Sequence, residues 1–582
     1  MSDRTRISLM QRWTRIGVLF NTAPAAERVD LVLGDAAHAM EREPEGWFTC
    51  DIADLHAGAR YRFRIDGDME VPDPASSFQP DDISGPSEVI DHRSYTWRAT
   101  EWRGRPWEDV VFLETHVGTF TPDGTYRAMI DRLDHLVETG ITALELMPLA
   151  DFPGRWNWGY DGALWYAPDS SYGRPDDLKA LIDEAHLRGL MVFLHVVYNH
   201  FGPEGNYLGL YAPPFFTRTH TPWGIAIDYR VPEVRGFAVE NALHWLRNYR
   251  FDGLRLDAVH AIDAADDLLL RDISIAAGAL ARTSGRTIHL VLENDDNRAS
   301  LLDPLTEPPA GKYRAQWNDD YHHAWHVLLS DERFGYYQDY QPPMPHIVRA
   351  LEAGFAYQGE PSLHREGAFR GEPSANLPPT AFVNFLQNHD QIGNRALGDR
   401  LVCDPAALEA ALAITLLAPM PPLLFMGEEW GATTPFPFFC DFHGDLAQAV
   451  REGRRREFKQ AYETFGDDVP DPLAEATFAR AKLDWQELQN PEGQRRHALI
   501  RKLLAVRQHE IVPNLRDAAF GEAGIESDGT LFASWSLGGE LLTLTANLST
   551  YPSARTVHSD SFIWGEPGPL APWRVCWTME GD

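Results

Sequence analysis

Gly253-Leu-Arg-Leu-Asp257 and His289-Leu-Val-Leu-Glu293 decide how this chain folds. Each is a short apolar run without polar alternation, and each ends abruptly on a carboxylate. Such runs mark strands buried on both faces, as in a parallel sheet covered by helices. Upstream the pattern recurs at Val110-Val-Phe-Leu113 before Glu114-Thr-His116, at Ala143-Leu-Glu-Leu-Met147, and at Met191-Val-Phe-Leu194 before His195. Downstream it returns at Ala381-Phe-Val-Asn-Phe-Leu386 before Asn388-His-Asp390, and at Pro422-Leu-Leu-Phe-Met426 before Glu428-Glu429.

Helical periodicity fills the gaps. Leu178, Leu181, Ile182 and Ala185 share a face between Pro175 and Gly189, and Ile130, Leu133 and Val137 do so before Gly140. Val239, Leu243 and Leu246 repeat the spacing. Strand–helix alternation implies a barrel or a doubly wound sheet. A doubly wound nucleotide-binding sheet wants a Gly-rich turn after its first strand, and none is present. Charged residues instead gather at strand ends, as they do at the rim of a barrel. The expected fold is therefore α/β, a (β/α)8 TIM barrel over residues 96–500.

The flanks read differently. Residues 1–95 suggest an N-terminal β-sandwich, with candidate strands Val29-Asp-Leu-Val-Leu33, Trp47-Phe-Thr-Cys-Asp51 and Tyr61-Arg-Phe-Arg-Ile65 between turn residues. Its aromatic residues fit bracing of the neighbouring domain better than sugar binding, because sandwich aromatics usually pack a core. Val71-Pro-Asp-Pro-Ala-Ser-Ser-Phe78 reads as a rigid, exposed connection. Residues 501–582, with strands at Leu531-Phe-Ala-Ser-Trp535 and Leu541-Leu-Thr-Leu-Thr545, suggest a C-terminal β-domain.

Composition narrows the function. Asp and Glu number 85 against 52 Lys and Arg, a formal net charge of -33. That field repels phosphate backbones and anionic membranes, so neither nucleic acid nor membrane is an expected partner, and a neutral substrate suits it better. Four scattered cysteines, at 50, 403, 440 and 576, suggest buried free thiols without a zinc or disulfide framework. Met1-Ser-Asp-Arg-Thr-Arg-Ile-Ser-Leu-Met10 has no apolar run of signal-peptide length, and no stretch reads as membrane-spanning, so a cytoplasmic protein is expected.

Retaining hydrolysis of a glycoside needs one carboxyl group that attacks the anomeric carbon and another that protonates the departing oxygen. Asp257 and Glu293 end consecutive candidate strands, which brings both to one rim. Arg255 lies two residues before Asp257, on the same face of its strand, where a guanidinium keeps that carboxylate ionised and oriented. Glu293 must stay protonated until it delivers its proton, which calls for a raised pKa. A neutral sugar also wants aromatic platforms and dense hydrogen-bonding groups. Trp156, Trp158, Tyr160, Trp317, Asp319, Tyr321, His322 and His323 are candidates.

Phe251-Asp-Gly-Leu-Arg-Leu-Asp-Ala-Val-His260 resembles the nucleophile segment of the α-amylase family of glycoside hydrolases. Val197-Tyr-Asn-His200, Glu293 and Asn388-His-Asp390 are similar to three further segments of that family, in the same order. The resemblance implies that Asp257 is the nucleophile, Glu293 the acid/base and Asp390 a third carboxylate that holds sugar hydroxyls. It implies that His200 and His389 contact the sugar at the cleaved bond and that Tyr160, in Trp158-Gly-Tyr-Asp161, stacks on it. Arg255, Asp161, His260, Gln391 and Arg395 join the expected substrate-binding set.

A narrower resemblance rests on His116-Val-Gly-Thr-Phe-Thr-Pro-Asp-Gly-Thr125, Trp317-Asn-Asp-Asp-Tyr-His-His323 and Asn388-His-Asp-Gln-Ile-Gly-Asn-Arg395. Phe425-Met-Gly-Glu-Glu-Trp430, Phe439-Cys-Asp-Phe442 and Val71-Pro-Asp-Pro74 add to it. These look like the branch of the family that cuts the α-1,4 bond beside a terminal α,α-trehalose unit. That resemblance implies maltooligosyltrehalose as substrate, released trehalose as product, and a functional pairing with the synthase that makes the substrate.

One departure stands out. The family usually carries Asp where this chain has His195, and a histidine there is expected to titrate near neutrality and modulate activity. Asn199 matches a calcium-ligand position of many amylases, but no full oxygen cage is traceable, and adjacent histidines such as His322 and His323 point apart. No metal and no cofactor are expected. The competing readings are an α-glucan branching or debranching enzyme, a general α-amylase, and an inactive glycan-binding protein.

Overall fold

The computed structural model describes residues 26–42, 48–50, 52, 55–221, 224–262 and 267–581. The reading of the Met1 to Met10 terminus, and Trp47 and Asp51 at the ends of one candidate strand, fall outside the described residues. Phe48–Thr49, inside it, is a strand.

Eight parallel strands close into a barrel: β1 (Phe112–Thr115), β2 (Ala143–Leu146), β3 (Met191–Val197), β4 (Gly253–Asp257), β5 (His289–Leu292), β6 (Ala315–Trp317), β7 (Phe382–Phe385) and β8 (Pro422–Phe425). Seven of them are the apolar runs of the sequence. The eighth, β6, is only Ala-Gln-Trp, too short to show a pattern by itself, and it exists because β5 and β7 pair with it on either side. A layer of fully buried side chains fills the lower barrel, among them Phe112, Phe193, Val291, Val383 and Leu423. Gly253 starts β4 because nothing larger fits. A Cβ there would lie 2.1 Å from the Phe193 ring and 2.7 Å from the His289 carbonyl oxygen.

The helices α1 (Pro175–Leu187), α2 (Pro232–Asn248) and α3 (Leu268–Ser284) belong to the outer shell. Two faces differ from the expectation. In α2 the buried residues are Val234, Phe237, Ala238, Asn241, Ala242, His244 and Trp245, together with the expected Leu246, whereas Val239 and Leu243 are half-buried. The segment before Gly140 is two short helices, Tyr126–Ile130 and Leu133–Thr139, and Val137 is 43% exposed while Leu133 and Leu136 pack inward. Apolar spacing identified the helices, but barrel curvature selected the face.

At the N-terminus the described residues form one five-stranded antiparallel sheet, which includes Val29–Leu33 and Arg60–Ile65, and a short separate strand pair. Phe48, Tyr61 and Phe63 are all buried, in keeping with bracing. The stretch after Val71 is not exposed: Pro72 through Gln79 is buried, with Asp73 accepting a hydrogen bond from Tyr61 Oη at 2.7 Å. Beyond the barrel, the helix Pro491–Val506 runs across residue 501, and the five-stranded C-terminal sheet begins at Ala519. Buried Arg507 ties this end to the barrel by donating to the carbonyls of Leu416, Ala418 and Met420. None of the four cysteines forms a disulfide, but Cys50 and Cys403 are only half-buried. No described helix is long and apolar enough to cross a membrane.

Substituting Gly253→Ala wedges a methyl group between β3 and β5. Overpacking of this kind costs about 1–3 kcal/mol, so calorimetry should show a lower Tm than wild type.

Candidate active site

The carboxyl ends of the strands open onto a cleft of about 590 Å3. Asp257 closes β4 and Glu293 follows β5. Leu256 pairs with Leu292 across these strands, so the two carboxylates leave neighbouring strands at the same height. The chain turns sharply after Asp257. Ala258 adopts a left-handed conformation, φ 42°, which turns its N–H to donate to Glu293 Oε2 at 2.5 Å. Asp390 reaches the cleft from the short helix His389–Gly393, whose N-terminus is capped by Asn388 Oδ1 accepting from the Asp390 and Gln391 N–H groups.

One guanidinium serves both strand-end carboxylates. Arg255 is fully buried, bonds Asp257 through Nη1, and lies 3.8 Å from Glu293 Oε2 through Nη2. Its underside rests on Trp317, with Cζ 4.2 Å from the ring centroid, a cation–π contact in a dry setting. Burial, with the Asp257 charge beside it, raises the Glu293 pKa above the usual carboxylate range against the pull of Arg255. The carboxyl group hydrogen-bonded to the guanidinium and the one held above the ordinary range are thus in different electrostatic states.

Beneath the cleft lies a polar layer. Glu114 on β1 pairs in register with Glu145 on β2, and His195 on β3 pairs with Arg255 on β4; all four are buried. His389 caps the layer, with Nδ1 bonded to Glu114 Oε1 and its backbone N–H donating to Glu114 Oε2 at 3.0 Å. Tyr160 stacks on the His389 ring with centroids 5.2 Å apart, and its hydroxyl lies 2.7 Å from His389 Nε2. Burial opposes a charge on His389, but Asp390 and Glu114 outweigh it and raise its pKa. His195 behaves in the opposite way. Burial, then Arg255 and His389, drive its pKa well below the usual value, which overturns the expectation that it titrates near neutrality. It is a neutral group at physiological pH.

Tyr160, Asp161, His200, His260, Asp319, His323 and Gln391 line the cleft beside Asp257, Glu293 and Asp390. Arg255 and His389 sit just below. Three further expected substrate ligands do not line it either. Trp317 is fully buried under Arg255. His322 stacks on Phe385 and bonds the Leu386 carbonyl at 2.6 Å. Arg395 is held by Glu332 at 2.8 Å and Asp399 at 3.0 Å. The physical reason for His322 is helical geometry. Asp319–Ser330 is a helix, so Asp319 and His323, four residues apart, share the cleft face while His322 turns to the core. Among the other candidates, Trp158 lines the cleft, Trp156 stacks on Phe478, and Tyr321 is buried against Thr415.

The sequence reading missed a whole wall. The insertion between β6 and β7 brings Tyr336, Tyr340, His364, Arg365 and Arg370 to the cleft. Its anchor is buried Asp320, which accepts from Tyr340 Oη at 2.5 Å, Arg370 Nη1 at 2.7 Å, and Asn297 Nδ2 and the Ala356 and Tyr357 N–H groups at 2.8 Å. Arg365 joins the wall to the loop after Glu293 through Asp295 at 2.6 Å and Asp296 at 2.8 Å. Its anchor lies in the segment Trp317-Asn-Asp-Asp-Tyr-His-His323, but nothing in that segment's spacing says that Asp320 holds a wall.

Glu114, His195 and His389 present ligand atoms within 4.8 Å of one another. They suit a cation poorly, because His389 Nδ1 is already bonded to Glu114, its raised pKa favours the imidazolium, and Arg255 adds a fixed positive charge nearby. At Asn199, Oδ1 is engaged by His200 Nδ1 at 2.9 Å.

The family model for the alpha amylase catalytic domain matches residues 85–209. The chain is 45% identical to the malto-oligosyltrehalose trehalohydrolase of Deinococcus radiodurans over 508 residues, which cover 86% of this chain and 83% of that protein. It is 40% identical to the enzyme of the same name from Rhizobium sp. (strain M-11), with 87% of each chain covered. Among solved structures, a putative alpha amylase from Salmonella typhimurium superposes with a TM-score of 0.89 at 43% identity, covering 96% of this chain and 98% of that one.

Replacing Asp320→Ala leaves Arg370 with Asp295 alone as counter-charge and removes the buried acceptor of Tyr340, Asn297 and the Ala356 and Tyr357 N–H groups, a loss of about 1–3 kcal/mol or more. Limited proteolysis should then cut within residues 331–378 faster than in wild type.

Proposed function

Because the chain belongs to the malto-oligosyltrehalose trehalohydrolase family, we propose that it is a retaining glycoside hydrolase that cleaves the α-1,4-glucosidic bond next to the terminal trehalose of maltooligosyltrehalose and releases trehalose. The observation that carries the reading is the Arg255 guanidinium, which bonds one carboxylate and stands 3.8 Å from a second whose pKa is raised.

In this reading Asp257 is the nucleophile. Arg255 holds one of its oxygens, which leaves the other to meet the anomeric carbon. Glu293, kept protonated by burial and by the Asp257 charge, donates its proton to the glycosidic oxygen as the C–O bond breaks and trehalose departs. The result is a glucosyl ester on Asp257 and an ionised Glu293. Glu293 then removes a proton from water, the water oxygen attacks the anomeric carbon, and Asp257 leaves as carboxylate, restoring both groups. Asp390 holds ring hydroxyls in the distorted sugar, with His389 and Tyr160 beside it. His200 lies beside the same sugar, its ring held by Asn199 Oδ1 at Nδ1 and the Tyr160 carbonyl at Nε2, each at 2.9 Å.

A neutral oligosaccharide suits a cleft whose cations are consumed by internal ion pairs, Arg365 and Arg370 with Asp295 among them. A cytoplasmic location and metabolic pairing with the synthase that builds the trehalose-ended substrate complete the proposal.

Chromatography of products from maltotriosyltrehalose, beside maltopentaose, tests it. Trehalose from the first with the second almost untouched is the expected result, and equal cleavage of both would make the protein a general α-amylase. Asp257→Asn and Glu293→Gln should each lower kcat by about 10²–10⁴-fold. The alkaline limb of the pH–rate profile should lie above the ordinary carboxylate pKa of about 4.3, because Glu293 must remain protonated, and it should vanish in Glu293→Gln.

A further inference from the structure

His195 has one hydrogen-bonding partner among the described residues, and that partner is a cleft residue. Its Nδ1 is 3.3 Å from Tyr160 Oη. Its Nε2 lies 3.3 Å from Glu145 Oε1 and 3.9 Å from Glu114 Oε1, without hydrogen-bond alignment, and both Glu145 oxygens are otherwise unpartnered. The ring packs edge-on against Trp317, with centroids 5.2 Å apart.

Counting protons fixes the direction of each bond. His389 gives Nδ1–H to Glu114, and as an imidazolium it gives Nε2–H to Tyr160 Oη at 2.7 Å. The Tyr160 hydroxyl, once it accepts there, must donate elsewhere, and the acceptor within reach is His195 Nδ1. That nitrogen is free to accept only when the ring is neutral with its proton on Nε2, the side that faces the two glutamates. Burial and the charges of Arg255 and His389 hold His195 in the neutral form. A carboxylate at this place would bury a negative charge beside the acidic pair Glu114 and Glu145, the second of which burial already pushes toward its protonated form, and a histidinium would have no lone pair for Tyr160.

We propose that His195 is a positioning residue, a neutral acceptor that fixes the Tyr160 hydroxyl as a donor and so keeps both the Tyr160 ring and the doubly donating His389 in place beneath the reacting sugar. The proposal rests on the assignment of Tyr160 and His389 to the sugar at the cleaved bond. His195 touches no substrate and acts only through Tyr160. Its contribution therefore appears in turnover and not in affinity.

Isosteres separate this role from simple packing. Asparagine sets a carbonyl oxygen where histidine carries Nδ1, and glutamine sets its amide where histidine carries Nε2. His195→Asn should keep kcat on maltotriosyltrehalose within about twofold of wild type. His195→Gln and His195→Leu should each lose about tenfold in kcat, the worth of one hydrogen bond, with KM nearly unchanged. In a Tyr160→Phe background, His195→Leu should have no further effect. Equal losses in Asn and Leu, an undiminished Leu effect without the Tyr160 hydroxyl, or a Leu variant with wild-type kcat would each overturn the proposal. If Leu does not fold, the contrast between Asn and Gln decides. Urea unfolding of wild type, His195→Asn, Tyr160→Phe and their double variant, beside His195→Gln with and without Tyr160→Phe, reads the same bond without substrate: the Gln effect must disappear in the Phe background, and additivity refutes the bond. A wild type silent on maltotriosyltrehalose refutes the proposed function, whereas an active wild type with additive variants refutes the role of His195 alone.

Discussion

A permanent positive charge buried at the top of the barrel governs the rest of this molecule. Arg255 is wholly removed from water, and an arginine cannot shed its proton. Leaving such a charge unpaired costs several kcal/mol, so the surroundings must answer it. They do so with the Asp257 carboxylate at one end of the guanidinium, the Glu293 carboxyl near the other, and the Trp317 face below. Trp317 is drawn into the core for this reason, although its aromatic ring would serve equally well as a sugar platform. Burial, with this cation and His389 beside it, keeps His195 in its neutral form.

The asymmetry between Asp257 and Glu293 also follows from it. Both leave adjacent strands at equal height, and by spacing alone they are interchangeable. Asp257 takes the guanidinium directly, while Glu293 takes only a backbone N–H from Ala258 and a longer contact with the cation. Two carboxylates side by side repel, and burial makes the repulsion costly, so the one with the weaker counter-charge holds its proton. The left-handed turn at Ala258 matters here, since it turns the N–H toward Glu293 without supplying a second charge.

Around this centre the cleft is assembled from parts with separate origins. The strand ends supply the floor. The insertion between β6 and β7 supplies a wall, held by the five hydrogen bonds that converge on Asp320 and by the ion pairs of Arg365 with Asp295 and Asp296. Because Asp295 and Asp296 follow Glu293 so closely, these ion pairs tie the wall to the loop that carries Glu293.

The sequence alone determined the barrel and its rim. Seven of eight strands were legible because parallel strands must be apolar on both faces, and the carboxylates that end them were legible because an abrupt charge after such a run has nowhere to go but the rim. Family likeness then matched the segments around Asp257, Glu293 and Asp390. Tertiary structure decided what local pattern does not encode. The three-residue β6 is a strand only because its neighbours pair with it. Asp319 and His323 face the cleft while His322 does not, because a helix turns adjacent residues about 100° apart. The wall from residues 331–378 includes the helix Pro343–Ala353, but what brings it to the cleft is its bonds to Asp320 and Asp295, which local spacing does not reveal. The protonation of His195 was equally out of reach, since a pKa reports the field of the groups packed around it. Here those groups, Arg255 and His389, come from a neighbouring strand and a distant loop.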